Sequence, residues 1–308
     1  AAALRGLLIA VPLLLIFGAL FAAADAVFAR LVGDLFTFDL EDLLGHIFGT
    51  LFFGWLAAGF LRTGLIKKPE ELPHVGEGRL LLGPIEVGVV LGLLNLLFLA
   101  FVAVQVRYLF GGAALVEATA HLTYAEYARQ GFFELVLVTA LVLPVLLGLH
   151  WALGEDELAL RLYRWLGSSL VALLFVIMAS ALQRMGLYAQ QYGLTEARLY
   201  ATAFMLWIGV LFIWFFVTVL RGRRERFAVG ALVTGFVVLF ALHAINPEAL
   251  IARTNLALRA ETGRFDALYA ASLGPDALPV LVPALDELPA EVEAPLREAL
   301  VERFSHRR

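Results

Sequence analysis

Four polar side chains in the second half of the sequence share one helical face. Ser180, Arg184, Tyr188 and Gln191 fall at i, i+4, i+8 and i+11, the spacing that stacks side chains along a helix. Tyr124, Tyr127, Gly131 and Glu134 form a second stripe of this kind. Around them stand Gln105 and Tyr108, then Arg129, then Tyr192 and Arg198, with Asp25 near the start of the chain and Asn246 near the beginning of its last segment. A guanidinium presents fixed N–H donors that match a carboxylate or phosphate bidentately. Arg129, Arg184 and Arg198 are therefore candidates to hold an anion. Tyr127 and Tyr188 would orient it, and Glu134 or Asp25 would act as proton acceptor.

Each of these residues also has a structural reading. Tyrosines anchor helices at membrane interfaces and arginines there extend toward lipid headgroups. Gln105, Gln183 and Ser180 can hydrogen-bond between helices. Arg184 lies only about one turn before the end of an apolar run, so an ion pair, for example with Glu134, and ligand binding both stay open for it.

Other chemistries find less support. Glu117 and His121 are four residues apart, but the six histidines are scattered and no His-Glu-x-x-His is present, so no metal site is read. No phosphate-binding Gly-rich loop or Gly-x-Ser-x-Gly occurs, and no cofactor is implied. The absence of cysteine excludes disulfides, thiolate ligands and cysteine nucleophiles. Asp25, Asp34, Asp39, Glu41 and Asp42 gather around one loop, which reads as solvated.

The elements that must position these groups follow from composition. Of 308 residues, 61% are hydrophobic and 16% charged, with a formal net charge of −4; a soluble domain carries about 25% charged residues. The solvent is therefore lipid, and a disordered chain and a nucleic-acid binder are both excluded. A bilayer core of about 30 Å needs roughly 20 apolar helical residues. Runs of that kind occur at 4–28, 44–66, 86–111, 131–151, 166–187, 199–220 and 227–245. The fold class is thus all-α: a polytopic transmembrane helix bundle of about seven spans over 1–245, followed by a short helical extramembrane tail over 246–308. The first run reads as a span rather than a cleaved signal peptide, because it is long and continues into 25–30 without a small-residue cleavage pattern.

Lysine and arginine set the orientation. The loops after spans two, four and six carry Arg62, Lys67, Lys68, Arg79, Arg161, Arg164, Arg221, Arg223, Arg224 and Arg226. The opposite side has Arg5, Arg30, Arg107, Arg129, Arg184 and Arg198. The richer side is cytoplasmic, which puts the polar clusters and the tail outside. Thr123 and Glu126 form a capping box that predicts a fourth helix starting near Tyr124. Gly193 suits a left-handed helix end, and Thr195 suits the N-cap of the sixth helix with Glu196 at its positive end. In the tail, the stretches 265–269 and 278–288, punctuated by Gly274 and prolines, predict small packed helices.

At these segments the sequence resembles a family of bacterial polytopic membrane proteins known only as a domain of unknown function. The matching stretches are 24–28, 105–112, Tyr-Ala-Glu-Tyr-Ala-Arg at 124–129 with its continuation to Phe132, 184–188, Tyr-Gly-Leu-Thr at 192–195 with Arg198, and 246–255. The resemblance implies a multi-pass inner-membrane protein and brings no activity, substrate or catalytic residue. Proteins of this family usually carry further hydrophobic helices before the first span, so the chain is expected to be a piece of a longer one. Three functions compete: a site that binds or processes an anionic or lipid-linked ligand, such as a polyprenyl phosphate, at the extracytoplasmic face; a sensor or scaffold that does no chemistry; and a small transporter. The last is disfavoured by the absence of an obvious inverted repeat and the scarcity of ionisable residues at mid-span. Membrane lipids are the partners expected, and nucleic acid is not.

Overall fold

The computed structural model describes residues 2–35, 81–120 and 131–305, with the side chains of 34–35, 106–120 and 304–305 outside the described part. The secondary structure there is helical: α1 (Ala2–Ala24), α2 (Ala26–Leu35), α3 (Pro84–Ala120), α4 (Phe132–Ala152), α5 (Glu157–Tyr192), α6 (Glu196–Thr218), α7 (Phe227–Ile245), α8 (Pro247–Thr262), α9 (Ala267–Ser272), α10 (Leu278–Ala284) and α11 (Ala290–Ser305). Among the described residues, six helical segments are long and apolar enough to cross a membrane: Ala2–Ala24, Pro84–Gln105, Phe132–Ala152, Glu157–Tyr192, Glu196–Thr218 and Arg224–Ile245. The span expected at 44–66 lies outside the described residues. The chain is a multi-pass integral membrane protein.

The described helices fall into two compact units. The first holds α1 to α4 and the part of α5 that ends at Ser180. Its interior is aromatic. Phe21 stacks on Phe101 with centroids 4.0 Å apart and meets Phe98 edge-on at 4.9 Å, while Phe17 meets Phe98 at 5.3 Å. Such pairs contribute about 0.5–1.5 kcal/mol beyond area burial, and they fix α1 against α3. At the start of α3, buried Glu86 receives Arg5 at 2.7 Å. Several polar groups within the helices find a partner locally or across a neighbour: Thr139 donates to the Leu135 carbonyl at 2.7 Å, Tyr163 to the Leu146 carbonyl at 2.7 Å, and Asn95 Nδ2 to the Leu166 carbonyl at 3.0 Å, while Asn95 Oδ1 stays buried without a hydrogen bond. In lipid no water is available for this task.

The fourth span falls where expected, at Phe132–Ala152, but its helix does not start as expected near Tyr124. Gly131 adopts φ +85° and is the N-cap of α4, so the helix begins at Phe132 rather than continuing from Tyr124. A left-handed residue breaks the helical repeat, and a Cβ at this position would run into the carbonyl of Ala24. Glycine here therefore serves both the turn and the close approach of α1. The capping box itself, Thr123 to Glu126, lies outside the described residues.

The second unit holds the end of α5 from Ala181, then α6 to α11. Helix α7 packs on α6 through small residues under tryptophans. Trp214 occupies the space a Cβ on Gly230 would need, and Trp207 Nε1 donates to Thr234 Oγ1 at 3.3 Å. The rest of α7 presents Val229, Leu232, Val233, Phe236, Val237, Leu239 and Phe240 outward, a surface that acyl chains satisfy. Beyond it, Asn246 takes φ 54° and caps α8, its Oδ1 accepting from the Ala249 N–H at 3.2 Å. Pro247 then sits in the first turn of α8, where no N–H is required of it. The short helices α8 to α11 enclose a core of Ile251, Leu273, Leu281, Leu285, Leu296, Leu300 and small alanines. Leu194 and Leu199, from the region between and beginning α5–α6, pack against this core. The tail is thereby anchored to the ends of two spanning helices.

Candidate functional site

In the first unit the polar residues make a closed chain of hydrogen bonds. Asp25 interrupts the path from α1 to α2, and its Oδ1 accepts from the N–H groups of Val27 at 2.9 Å and Phe28 at 3.1 Å, capping α2. Its Oδ2 accepts from Gln105 Nε2 at 3.1 Å, and Gln105 Oε1 in turn accepts from Ser180 Oγ at 2.8 Å. All three side chains are buried. Each member satisfies the next, an arrangement that holds α1, α3 and α5 in register. Glu134 sits in the first turn of α4, where a carboxylate complements the helix dipole.

In the second unit the polar residues open onto a cleft. Helix α5 contains 36 residues, which is about 54 Å at roughly 1.5 Å per residue and more than the about 30 Å of hydrocarbon. It is thus longer than a span, and its last turns carry Gln183, Arg184, Gln190 and Gln191. Along the stripe, burial fades outward: Ser180 and Arg184 are buried, Tyr188 is half-buried and Gln191 is exposed. The chain then turns at Gly193, with φ +78°, whose N–H donates to the Ala189 carbonyl at 2.9 Å. This is the left-handed helix end expected from the sequence.

Two residues from the tail complete the turn. Asn255 Oδ1 accepts from the Leu194 N–H at 2.6 Å, and its Nδ2 donates to the Leu194 carbonyl at 2.9 Å. Tyr269 Oη accepts from the Glu196 N–H at 2.9 Å. Thr195 holds the N-cap position with extended backbone, but its side chain makes no capping bond; the Tyr269 hydroxyl meets one of the free N–H groups in its stead. Burial raises the Tyr269 pKa, with the Glu196 carboxylate pushing the same way and the Glu196 N–H opposing. The hydroxyl therefore stays protonated and can donate while it accepts.

Arg198, in the first turn of α6, lies over the Tyr188 ring at 4.2 Å from the centroid and donates from Nη1 to the Gly193 carbonyl. Tyr188 in turn meets Tyr192 at 4.9 Å. Arg198, Gly193 and Tyr192 form one wall of a cleft of about 960 Å³, with Tyr188 behind Arg198. Gln191, Tyr192, Thr195 and Arg198 line it from the spanning helices, and Asn255, Arg264, Phe265, Asp266, Leu268, Tyr269 and Glu291 line it from the tail. The arrangement can hold a charged group by hydrogen bonds at the end of two membrane spans.

Residues 1–284 match the family model described as Domain of unknown function (DUF4153). The chain belongs to this family. No curated protein and no solved structure matches it significantly. The DUF4153 match runs from α1 to the end of α10 and so includes most of the cleft, while Glu291 lies beyond it.

The sequence-based candidates are thus distributed over several settings. Arg198, Tyr192 and Gln191 line the cleft, and Tyr188 supports Arg198 from behind. Asp25 and Gln105 belong to the hydrogen-bonded chain with Ser180. Asn246 caps α8. Arg184 is buried within α5. Tyr124, Tyr127 and Arg129 lie outside the described residues, as does His121, and the side chains of Arg107, Tyr108 and Glu117 do too. Sequence reasoning did not single out Asn255, Tyr269, Arg264, Asp266 or Glu291. Asn255 ends the 246–255 stretch that carried part of the family resemblance, and Asp266 precedes a helix with the side chain an N-cap requires. Tyr269 closes the 265–269 stretch expected as a small tail helix, and nothing in the local sequence marks Arg264 or Glu291.

Proposed function

We propose that this DUF4153 protein binds an anionic or lipid-linked molecule at the extracytoplasmic face of a bacterial inner membrane, with the tail on that side. What carries the reading is the cleft, which joins Arg198, Tyr192 and Gln191 at the ends of spanning helices to Arg264 and Tyr269 of the tail. An arginine at a membrane end, held by a ring and a carbonyl, keeps further N–H donors for a phosphate or carboxylate. The helix terminus beneath it adds a favourable field for an anion. Arg184, Glu134, Asp25 and the remaining sequence-derived candidates belong to this proposal as residues whose replacement would alter binding from within the bundle.

The test is native mass spectrometry of the protein extracted in a mild detergent, with lipids identified after release. A co-purifying phosphate-bearing lipid is expected on the parent protein, reduced at least tenfold in an Arg198→Ala, Arg264→Ala variant of unchanged melting temperature. If parent and variant carry the same lipids in the same amounts, the binding reading fails and the sensor or scaffold reading replaces it. Cysteines placed at Gly76 and Gln191 of this cysteine-free chain test the orientation, since they should label from opposite sides of the membrane.

A further inference from the structure

Four charged side chains line the cleft, two of each sign. Arg198 and Arg264 face a shared space with Asp266 and Glu291, yet among the described residues none of the four is in an ion pair. Opposite charges that share a cleft without meeting can each meet a ligand instead. The positions are set by the fold. Arg198 is held by the Tyr188 ring and the Gly193 carbonyl. Asp266 is fixed as the N-cap of α9, its Oδ1 accepting from the Tyr269 N–H at 2.9 Å, which leaves Oδ2 for another donor. Arg264 follows Gly263, whose φ of +72° ends α8. Glu291 opens α11.

Resting on the binding function proposed above, we infer that the cleft takes a lipid headgroup carrying a phosphate and a primary ammonium together, the chemistry of an ethanolamine phospholipid. A purely anionic headgroup would satisfy the arginines but face two carboxylates across the same cleft. A purely cationic group would meet the reverse difficulty. A headgroup of both signs answers both pairs, with the phosphate at Arg198 and Arg264 and the ammonium at Asp266 and Glu291. The ammonium is primary rather than quaternary because carboxylates accept N–H hydrogen bonds, whereas a quaternary ammonium is recognised by open aromatic faces. The Tyr188 face is taken by Arg198, Phe265 and Tyr269 pack on the tail core, and among the rings that line the cleft only Tyr192 is exposed, a single face rather than a cage of several. The source is a lipid rather than a soluble phosphoethanolamine because the cleft lies at the ends of α5 and α6, and its rim exposes Tyr192 and Leu268 to an adjoining acyl chain.

Native mass spectrometry of the full chain, titrated with phosphatidylethanolamine, phosphatidylglycerol and phosphatidylcholine of equal short chain length and with soluble O-phosphoethanolamine, decides the matter. Phosphatidylethanolamine should bind at least tenfold more tightly than the other three. An Asp266→Asn, Glu291→Gln variant, which keeps the Asp266 capping oxygen, should lower it to the level of phosphatidylglycerol. An Arg198→Ala, Arg264→Ala variant should weaken every phospholipid. Phosphatidylglycerol binding as tightly as phosphatidylethanolamine would overturn the inference and leave the anionic-ligand function standing. Preference for phosphatidylcholine, or equal binding of soluble O-phosphoethanolamine, would overturn the headgroup or the lipid assignment respectively. Binding of none of the four would overturn the inference, and the co-purification experiment above then decides the function it rests on.

Discussion

The side-chain amide of Asn255 pairs with both backbone groups of Leu194, 61 positions earlier, accepting from its N–H at 2.6 Å and donating to its carbonyl at 2.9 Å. An amide opposed to a peptide in this way imitates a strand pairing one residue long. It ties α8 to the turn between α5 and α6, and leaves no room beside it for a side chain at position 193, where a Cβ would come within 2.7 Å of Asn255 Oδ1. The turn places Gly193, and the Gly193 carbonyl holds Arg198. Asn255 is thus a positioning residue for the cleft although it stands on a different helix from Arg198.

Asn255→Asp is expected to be worse than its size suggests. It keeps the acceptor for the Leu194 N–H but replaces the donor to the Leu194 carbonyl by a second oxygen, so one bond becomes a repulsion. A loss of about 1–3 kcal/mol follows, read as a lowered melting temperature in detergent, together with weaker lipid retention. Equal stability of Asn255→Asp and the parent would show that the clamp is incidental.

Gln105 should be the least replaceable polar residue of the first unit. Gln105→Leu is close in size but removes a donor to Asp25 Oδ2 and an acceptor for Ser180 Oγ, both buried. A hydrogen bond to a carboxylate is worth about 1.5–3 kcal/mol and one between neutral groups about 1 kcal/mol. The substitution should therefore cost about 2–4 kcal/mol, and Ser180→Ala only about 1 kcal/mol. Thermal unfolding in one detergent ranks the two, and the reverse order would mean that Asp25 does not depend on Gln105.

Most of the spanning helices were legible in the sequence because lipid imposes a single rule, an apolar run of sufficient length with charges at its ends. The departures arise where a local pattern met a tertiary demand. The capping box at Thr123 reads as the start of the fourth helix, ahead of the span at 131–151, but Gly131 takes a left-handed conformation against Ala24, and α4 starts after it. Thr195 occupies the expected N-cap position without capping, because Tyr269 reaches the Glu196 N–H from the tail. The cleft was half legible for a related reason. Arg198 and Tyr192 stand out in a polar cluster between two long apolar runs, whereas Arg264, Asp266 and Glu291 lie in a charged tail where another charge carries no signal. Only folding that brings α9 and α11 to the 193–198 segment distinguishes them.

A pair of glycines separates backbone necessity from mere smallness. Gly131→Ala places a methyl group against the Ala24 carbonyl at a φ of +85° that disfavours any side chain, and should destabilise by about 2 kcal/mol or more. Gly148→Ala, inside α4 with no atom within 4 Å of the added Cβ, should be neutral or stabilise by about 0.5–1 kcal/mol. Measured side by side, the two variants should shift the melting temperature in opposite directions or one not at all. A tolerated Gly131→Ala would mean that α1 and α4 do not approach at Ala24.

Tyr269 gives the tail an alkaline signature. Its pKa is raised above the ordinary value of 10.0, chiefly by burial. Below that value the hydroxyl is neutral in folded and unfolded chains alike, so its contribution is complete and independent of pH. As pH rises past it, the unfolded tyrosine ionises before the folded one, the unfolded state gains, and the contribution is lost progressively up to the raised folded value. Tyr269→Phe removes both the acceptor for the Glu196 N–H and this titration. Its deficit against the parent, at most about 1 kcal/mol for a partly exposed hydrogen bond, should be constant between pH 7 and pH 9 (on the order of the buffered range below the tyrosine pKa) and shrink above pH 10. The other tyrosines titrate in both proteins and cancel in the difference. A deficit that stays constant through that alkaline range would mean that the Tyr269 hydroxyl is as solvated in the folded protein as in the unfolded chain, and that it does not bridge the tail to α6.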